Sequence, residues 1–293
     1  MKILLIGTVK FSEIVFKQLI QMKADITGIC TSRKSNFNSD HVSLKKVAEK
    51  HHIPCLETND INSDYSISWI KKRDPSIIFC FGWSRIVGDE ILNIPKLGVI
   101  GFHPALLPFN RGRHPIIWAL VLGLKETAST FFLMDKKPDT GDIISQERVP
   151  IFFEDDANIL YKRISNTATK QLRNIIPKLE SGDIKKIKQS NVSGNFWRKR
   201  NFADGQIDWR MSAENIYNLV RGLSKPYVGA HFYFDDNIIK VWSTKIELNV
   251  PKNLEPGKVL DVNRGKILVK TGDFGLWLIK FNPYIITKPG KYL

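Results

Sequence analysis

The residue types best suited to moving a proton near neutral pH gather between positions 98 and 144 of this 293-residue chain. There an apolar run, 99–102, delivers His103 to a loop stiffened by Pro104 and Pro108. A histidine fixed on such a loop suits general-base work, since imidazole titrates near neutrality; the same residue also suits a purely structural cap of the loop. After a second β-like run, 129–134, comes Asp139-Thr140-Gly141-Asp142. If the two runs are neighbours in one sheet, His103 and Asp139 meet at its edge, where a carboxylate fixes the imidazole tautomer and stabilises its charged form. The competing reading of Asp139 is an ordinary turn aspartate that bonds its own backbone.

The elements that must position these residues follow from periodicity. Residues 2–6 read as a buried strand, Gly7-Thr8 as a turn and 11–22 as an amphipathic helix. Strands at 26–31, 53–56, 77–81 and 99–102 alternate with helices at 44–51 and 65–72, and 115–122 is helix-like. This alternation predicts an α/β domain with a mostly parallel sheet and helices on both faces. Ligands then bind beyond the carboxyl ends of the strands, in the loops after Phe81 and Phe102. Gly7 lacks the G-x-G-x-x-G spacing of a dinucleotide site. The polar stretch 190–205 marks a boundary: a catalytic domain over 1–190, a linker over 191–205 and a smaller domain over 206–293. In the last, a helix over 213–222 precedes β runs at 227–234, 238–246, 258–262, 266–269 and 274–281, which predict a small barrel or antiparallel sheet.

Composition narrows the partners. A net charge of +15 demands an anionic one, such as a tRNA, a nucleotide diphosphate, a polyglutamylated folate or an acidic membrane surface. The Lys and Arg residues are spread along the chain in short clusters, which weighs against nucleic acid as the default. Cys30, Cys55 and Cys80 sit singly in apolar stretches, without metal-site or disulfide spacing, and read as buried small side chains in a reducing compartment. No metal is expected. The apolar run after Met1-Lys2 is too short for a secretory core, and no stretch is long enough to span a bilayer, so a cytoplasmic protein with no membrane partner is expected.

The fixed offsets of His103, Leu106-Leu107-Pro108, Arg111-Gly112, Pro115 and Asp139-Thr140-Gly141 resemble the signature of the formyltransferase family. Gly7-Thr8, Pro95-Lys96-Leu97-Gly98, residues 218–222 and Gly229-Ala230 extend the resemblance over nearly the whole chain. The family includes methionyl-tRNA formyltransferases, nucleotide-sugar N-formyltransferases and the hydrolase domain of 10-formyltetrahydrofolate dehydrogenase. The resemblance implies a Rossmann-like amino-terminal domain that binds 10-formyltetrahydrofolate, followed by an OB-like domain. It implies that His103 takes a proton from an incoming amine while Asp139 orients and supports it. One departure stands out: where most of these transferases have an asparagine two residues before the histidine, to stabilise an oxyanion, this chain has Gly101. Asn110 is a candidate replacement, and the hydrolase domain shares the departure.

By the same resemblance, Phe81, Gly82, Trp83, Ser84, Arg85, Ile86 and Val87 border the pterin, and Asp135 and Asp142 join the cofactor site. The stretch 32–40 is shorter and less basic than the tRNA-contacting insertion of methionyl-tRNA formyltransferases, and resembles the sugar-modifying branch. Asn36, Asn38 and Asp40 are then partners for sugar hydroxyls, while Arg111, Arg113, Trp197, Arg198, Lys199 and Arg200 approach the nucleotide. The expectation is an N-formyltransferase acting on a nucleotide-linked amino sugar in surface-glycan or lipopolysaccharide synthesis. Formylation of methionyl-tRNA, hydrolysis of 10-formyltetrahydrofolate and a non-catalytic folate- or nucleotide-binding module are the alternatives. The oligomeric state stays open, a homodimer included.

Overall fold

A computed structural model describes residues 1–34, 39–189 and 194–293. The chain alternates β1 (Ile3–Gly7), α1 (Lys10–Gln21), β2 (Ile26–Thr31), α2 (Lys45–Lys50), β3 (Cys55–Glu57), α3 (Asp64–Lys72), β4 (Ile77–Phe81), α4 (Asp89–Leu92) and β5 (Val99–His103). Then come β6 (Arg111–Gly112), α5 (Pro115–Val121), β7 (Glu126–Leu133), β8 (Ile143–Pro150), the long α6 (Ala157–Ser181) and β9 (Phe196–Trp197). The remainder holds α7 (Ala213–Leu223) and strands β10 (Ala230–Phe234), β11 (Asn237–Glu247), β12 (Val259–Asn263), β13 (Lys266–Lys270) and β14 (Gly275–Asn282).

Two compact units result, and neither is contiguous in sequence. The first comprises Met1–Gly112, Thr127–Val149 and Lys162–Trp197; the second comprises Arg113–Glu126, Pro150–Tyr161 and Arg198–Leu293. In the first, a seven-stranded sheet runs β3-β2-β1-β4-β5-β7-β8. The pairs from β3 to β5 are parallel, and β7 joins β5 antiparallel. β1 and β4 are buried along their whole length, as strands covered on both faces must be. Their order places a topological switch between β1 and β4, where the chain leaves the two strands in opposite directions. Beneath this edge, Phe11 stacks on Phe102 with ring centroids 4.1 Å apart, and Phe81 meets Phe11, Phe79, Phe102 and Phe131. The Phe81 side chain, expected beside the pterin, is thus wholly inside the core.

The second unit is a five-stranded antiparallel sheet, β10-β11-β14-β13-β12. Two-residue turns pin its registers: Asp235-Asp236 (φ 46° and 60°) and Arg264-Gly265 (φ 48° and 75°) adopt the left-handed conformation that a tight hairpin with native twist requires. α7, capped by Ser212 accepting from Asn215 N, buries its apolar face on this sheet, and α5 packs on α7. Gly222 makes that packing possible, since a Cβ there would lie 3.0 Å from Val121. No helix among the described residues is long and apolar enough to cross a membrane.

Candidate active site

The antiparallel pairing of β5 with β7 sets Ile100 opposite Leu133 and His103 opposite Thr130. Leu133 N donates to Asp142 O at 2.8 Å, which turns the chain back beside β5. Gly141 closes the turn against the Leu133 carbonyl, which a Cβ at that position would strike at 1.7 Å. Asp139, at φ +59°, is thereby swung toward the end of β5.

His103 Nδ1 lies 3.7 Å from Asp139 Oδ1, and the two side chains are 6% and 18% exposed. His103 Nε2 donates to the Asn110 carbonyl at 2.7 Å. A carbonyl only accepts, so this bond fixes the proton on Nε2 and leaves Nδ1, on the Asp139 side, as the nitrogen able to gain one. Gly112 N donates to Asp139 Oδ2 at 3.0 Å, which holds the carboxylate while its other oxygen faces the imidazole. This pairing of a fixed tautomer with an adjacent carboxylate is suited to accepting a proton and stabilising the resulting cation.

Two side chains that the sequence reading did not single out complete the surroundings. Gln189 bonds Arg111 and the carbonyls of Asp139 and Gly141, Arg111 Nε also donates to Asp139 O at 3.0 Å, and Asn195 Oδ1 accepts from Asn110 N at 2.8 Å. Asn195 belongs to the polar stretch whose composition signals a linker, and Gln189 directly precedes it. The side chain of Arg111, expected at a nucleotide, is engaged here, with its guanidinium 5.7 Å from the Phe196 ring; Trp197 pairs through its backbone with Gly112.

The loop after β4 is tied down at both ends. Thr8 Oγ1 donates to Gly82 O at 2.8 Å, and Asn62 bonds Ile86 O and Gly88 N, at 2.9 and 2.7 Å. Val87 is buried, Arg85 and Ile86 are exposed, and Ser84 is half-buried. Trp83 packs against the sheet core, and its indole Nε1 is buried without a hydrogen-bond partner among the described residues. Asp135 accepts from Lys137 N and Thr140 Oγ1 and so staples the turn that carries Asp139, while Asp142 contributes its backbone carbonyl to Leu133. Asp40 lies where the chain returns to Lys10 N. Asn36 and Asn38 lie outside the described residues.

The other expected substrate residues fall in the second unit. Arg198 forms a two-pronged pair with Asp204, and Arg200 donates to the Asp204 carbonyl. The two guanidiniums lie 5.5 and 4.6 Å from the Trp118 ring, whose Nε1 donates to Arg198 O. The Arg198 pair holds the Asp204 carboxyl below the usual carboxylate range. Burial, then Arg200, Arg113 and Lys199, press the His114 pKa down. The basic run is therefore partly neutralised within its own unit. Among the described residues no group of His, Cys, Asp or Glu could hold a metal ion. Burial pushes the thiols of Cys55 and Cys80 up to about 11 and about 12, and that of Cys30 up as well, which leaves them inert.

Comparison with known proteins returns two family models, formyl transferase over residues 1–176 and formyl transferase, C-terminal domain, over 201–284. The bifunctional polymyxin resistance protein ArnA of Wigglesworthia glossinidia brevipalpis is 38% identical over 221 residues, 75% of this chain and 34% of its own, so the chain spans about a third of that relative. A methionyl-tRNA formyltransferase of Geobacillus sp. (strain WCH70) is 33% identical over 278 residues, 93% of this chain and 86% of its own. Among solved structures, HypX from Aquifex aeolicus in complex with tetrahydrofolic acid superposes with a TM-score of 0.71 at 15% identity, covering 95% of this chain and 43% of that one. WlaRD, a sugar 3N-formyl transferase in the presence of dTDP and 5-N-formyl-THF, superposes at 0.70 with 18% identity, covering 94% and 96%. At such identities the two structures speak for the fold alone.

Proposed function

The chain belongs to the formyl transferase family, enzymes that move the formyl group of formyl-tetrahydrofolate, and from that premise we propose that it formylates the amine of a nucleotide-linked amino sugar. The observation that carries the reading is the 3.7 Å approach of His103 Nδ1 to Asp139. An amine that attacks a formyl carbon must shed a proton. His103 takes it at Nδ1, because Nε2 is committed to the Asn110 carbonyl, and Asp139 stabilises the imidazolium that forms. Asp139 would also help return that proton to the departing nitrogen.

The loop from Trp83 to Val87 suits a flat pterin, with the apolar Trp83, Ile86 and Val87 and a buried indole N–H that lacks an acceptor among the described residues. When bound, the formyl-folate supplies the activated carbon and its leaving nitrogen. Position 101 has no side chain to serve as oxyanion donor, and the Phe132 ring lies 2.7 Å from where a Cβ would stand, which leaves Asn110 or backbone N–H groups. Asn110 takes that part. Its backbone is held through both its N–H and its carbonyl, so its side-chain amide is carried by a fixed loop.

For the acceptor, the stretch 32–40, short and mixed in charge, is the feature that favours a sugar over a tRNA acceptor stem. A second reading, methionyl-tRNA, is favoured by the relative matched over 93% of the chain and by the net charge of +15. Both readings place the work in the cytoplasm. Incubation with 10-formyltetrahydrofolate and a panel of UDP-, GDP-, dTDP- and CMP-linked amino sugars, beside charged initiator tRNA, separates them. A gain of one formyl group on a sugar, read by mass spectrometry, is the expected result. Formylation of the tRNA alone sinks the sugar reading, and formate release without an acceptor points to hydrolysis.

A further inference from the structure

The family models end at residue 176 and resume at 201, yet two side chains from the stretch between them reach the supports of the His103–Asp139 pair. Gln189 Nε2 donates to Asp139 O at 3.0 Å and to Gly141 O at 2.7 Å. Its Oε1 accepts from Arg111 Nε at 3.2 Å and Nη2 at 2.7 Å. Carbonyls only accept and a guanidinium only donates, so a single orientation of this amide satisfies all four bonds, and neither Glu nor an apolar residue reproduces them. Asn195 Oδ1 accepts from Asn110 N at 2.8 Å, and the Asn195 carbonyl accepts from Arg111 N at 3.1 Å. Gly194 permits this approach, since a Cβ there would lie 2.4 Å from Pro108 O.

Asn110 and Asp139 are the residues whose carbonyl and carboxylate face the two nitrogens of His103. Both stand at positive φ, +62° and +59°. Asn and Asp visit that conformation more readily than other non-glycine residues, and bonds from outside each turn fix the two here. Asn195 bonds the first from outside its turn, and Gln189 bonds the second beside Arg111 Nε and Gly112 N, and also orients that guanidinium. We propose that Gln189 and Asn195 are positioning residues that hold the proton-handling pair from either side, so that the stretch between the two family domains is part of the catalytic machinery. The inference rests on the reading of His103 and Asp139 given above, and its test separates the two.

Long-range 1H–15N spectra of the imidazoles in the full-length, 15N-labelled chain give the first readout, with the His103 signals identified by their absence in His103→Asn. The wild type shows a protected proton on Nε2. Asn195→Ala loses that protection, while Asn195→Asp, which keeps the accepting oxygen, retains it. Gln189→Ala shifts the Nδ1 resonance, and so does Gln189→Glu, which can still accept from Arg111 but cannot donate to the two carbonyls. In formyl transfer from 10-formyltetrahydrofolate, the Gln189 variants and Asn195→Ala lower kcat by up to about 100-fold at an unchanged KM for the folate, and Asn195→Asp restores it. His103 resonances that match the wild type in both alanine variants overturn the inference, whether or not His103 is the base. Should an alanine variant fail to fold, the size-matched Gln189→Glu and Asn195→Asp decide: a wild-type Nδ1 signal in the first, or lost protection in the second, overturns it. Transfer that survives in His103→Asn overturns the base reading instead and leaves the spectra to decide the positioning.

Discussion

The chain carries Gly-x-His three times, and in two of them, Gly101-Phe102-His103 on β5 and Gly229-Ala230-His231 at the start of β10, the histidine is buried, 5% and 1% exposed. Their surroundings differ. His103 ends a strand of the mostly parallel sheet, where loops gather, so one nitrogen has a carbonyl and the other a carboxylate. His231 lies under Phe202, stacked at 4.1 Å, with Tyr233 edge-on and Lys240 opposite it across the strand pair. Neither of its ring nitrogens has a partner among the described residues. Burial alone therefore does not equip an imidazole as a base. A fixed tautomer and a neighbouring negative charge do, whereas aromatic rings and a cation keep the ring neutral and inert.

The sharpest break in this comparison is functional. His103→Asn should lower formyl transfer by about 100- to 10,000-fold with the chain still folded, while His231→Phe should leave turnover in place; an equal loss in both would erase the distinction. Asp139→Asn keeps an oxygen for the Gly112 N–H but removes the charge facing Nδ1. It should cost less, about 100-fold, in the same steady-state assay. Wild-type turnover in this variant would make Asp139 a turn residue and nothing more.

The glycines at 101 and 229 also differ. At Gly229, φ is +79° and a Cβ would sit 3.0 Å from Trp242; at Gly101 the backbone is ordinary, but the Phe132 ring fills the space at 2.7 Å. Gly101→Asn, which inserts the residue usual in the family, should therefore destabilise the fold by about 1–3 kcal/mol in urea unfolding. Phe132→Leu in the same chain should recover part of that loss. An unchanged midpoint for the single variant would show that Phe132 moves aside freely.

Much of this was legible in the sequence. The apolar runs leading to His103 and Asp139 announced two strands, and their pairing brought the side chains together. Helix α6 was legible but unread: Leu160, Ile164, Ala168, Leu172, Ile175 and Leu179 recur at helical spacing and are all buried. The rest was not available from residue types. Nothing in a polar Asn-Ser-Gly stretch says which carbonyl a Gln or Asn amide will find, so Gln189 and Asn195 stayed hidden. Nor does the run Arg198-Lys199-Arg200 announce that Asp204 and Trp118 occupy its two guanidiniums. α5 follows His103 closely in sequence yet packs on α7, because its buried Ile117 faces the second core.

The smallest expected effect tests the neutral character of His231. Burial, then Lys240, hold its pKa below the ordinary histidine value of about 6.5. Below that pH the unfolded chain binds a proton that the folded chain refuses, so stability falls as pH drops through 6.5 toward the depressed folded value, and is independent of this group above it. His231→Phe keeps the ring against Phe202, removes two buried nitrogens that lack partners, and removes the titration. The variant should be more stable than the wild type by about 1 kcal/mol at pH 7.5, with a difference that widens between pH 6.5 and pH 5. Urea unfolding at three pH values reads both effects. A difference that stays constant with pH would mean that His231 takes up its proton as readily in the fold as in the unfolded chain, and one that narrows toward acid would mean that the fold holds it charged.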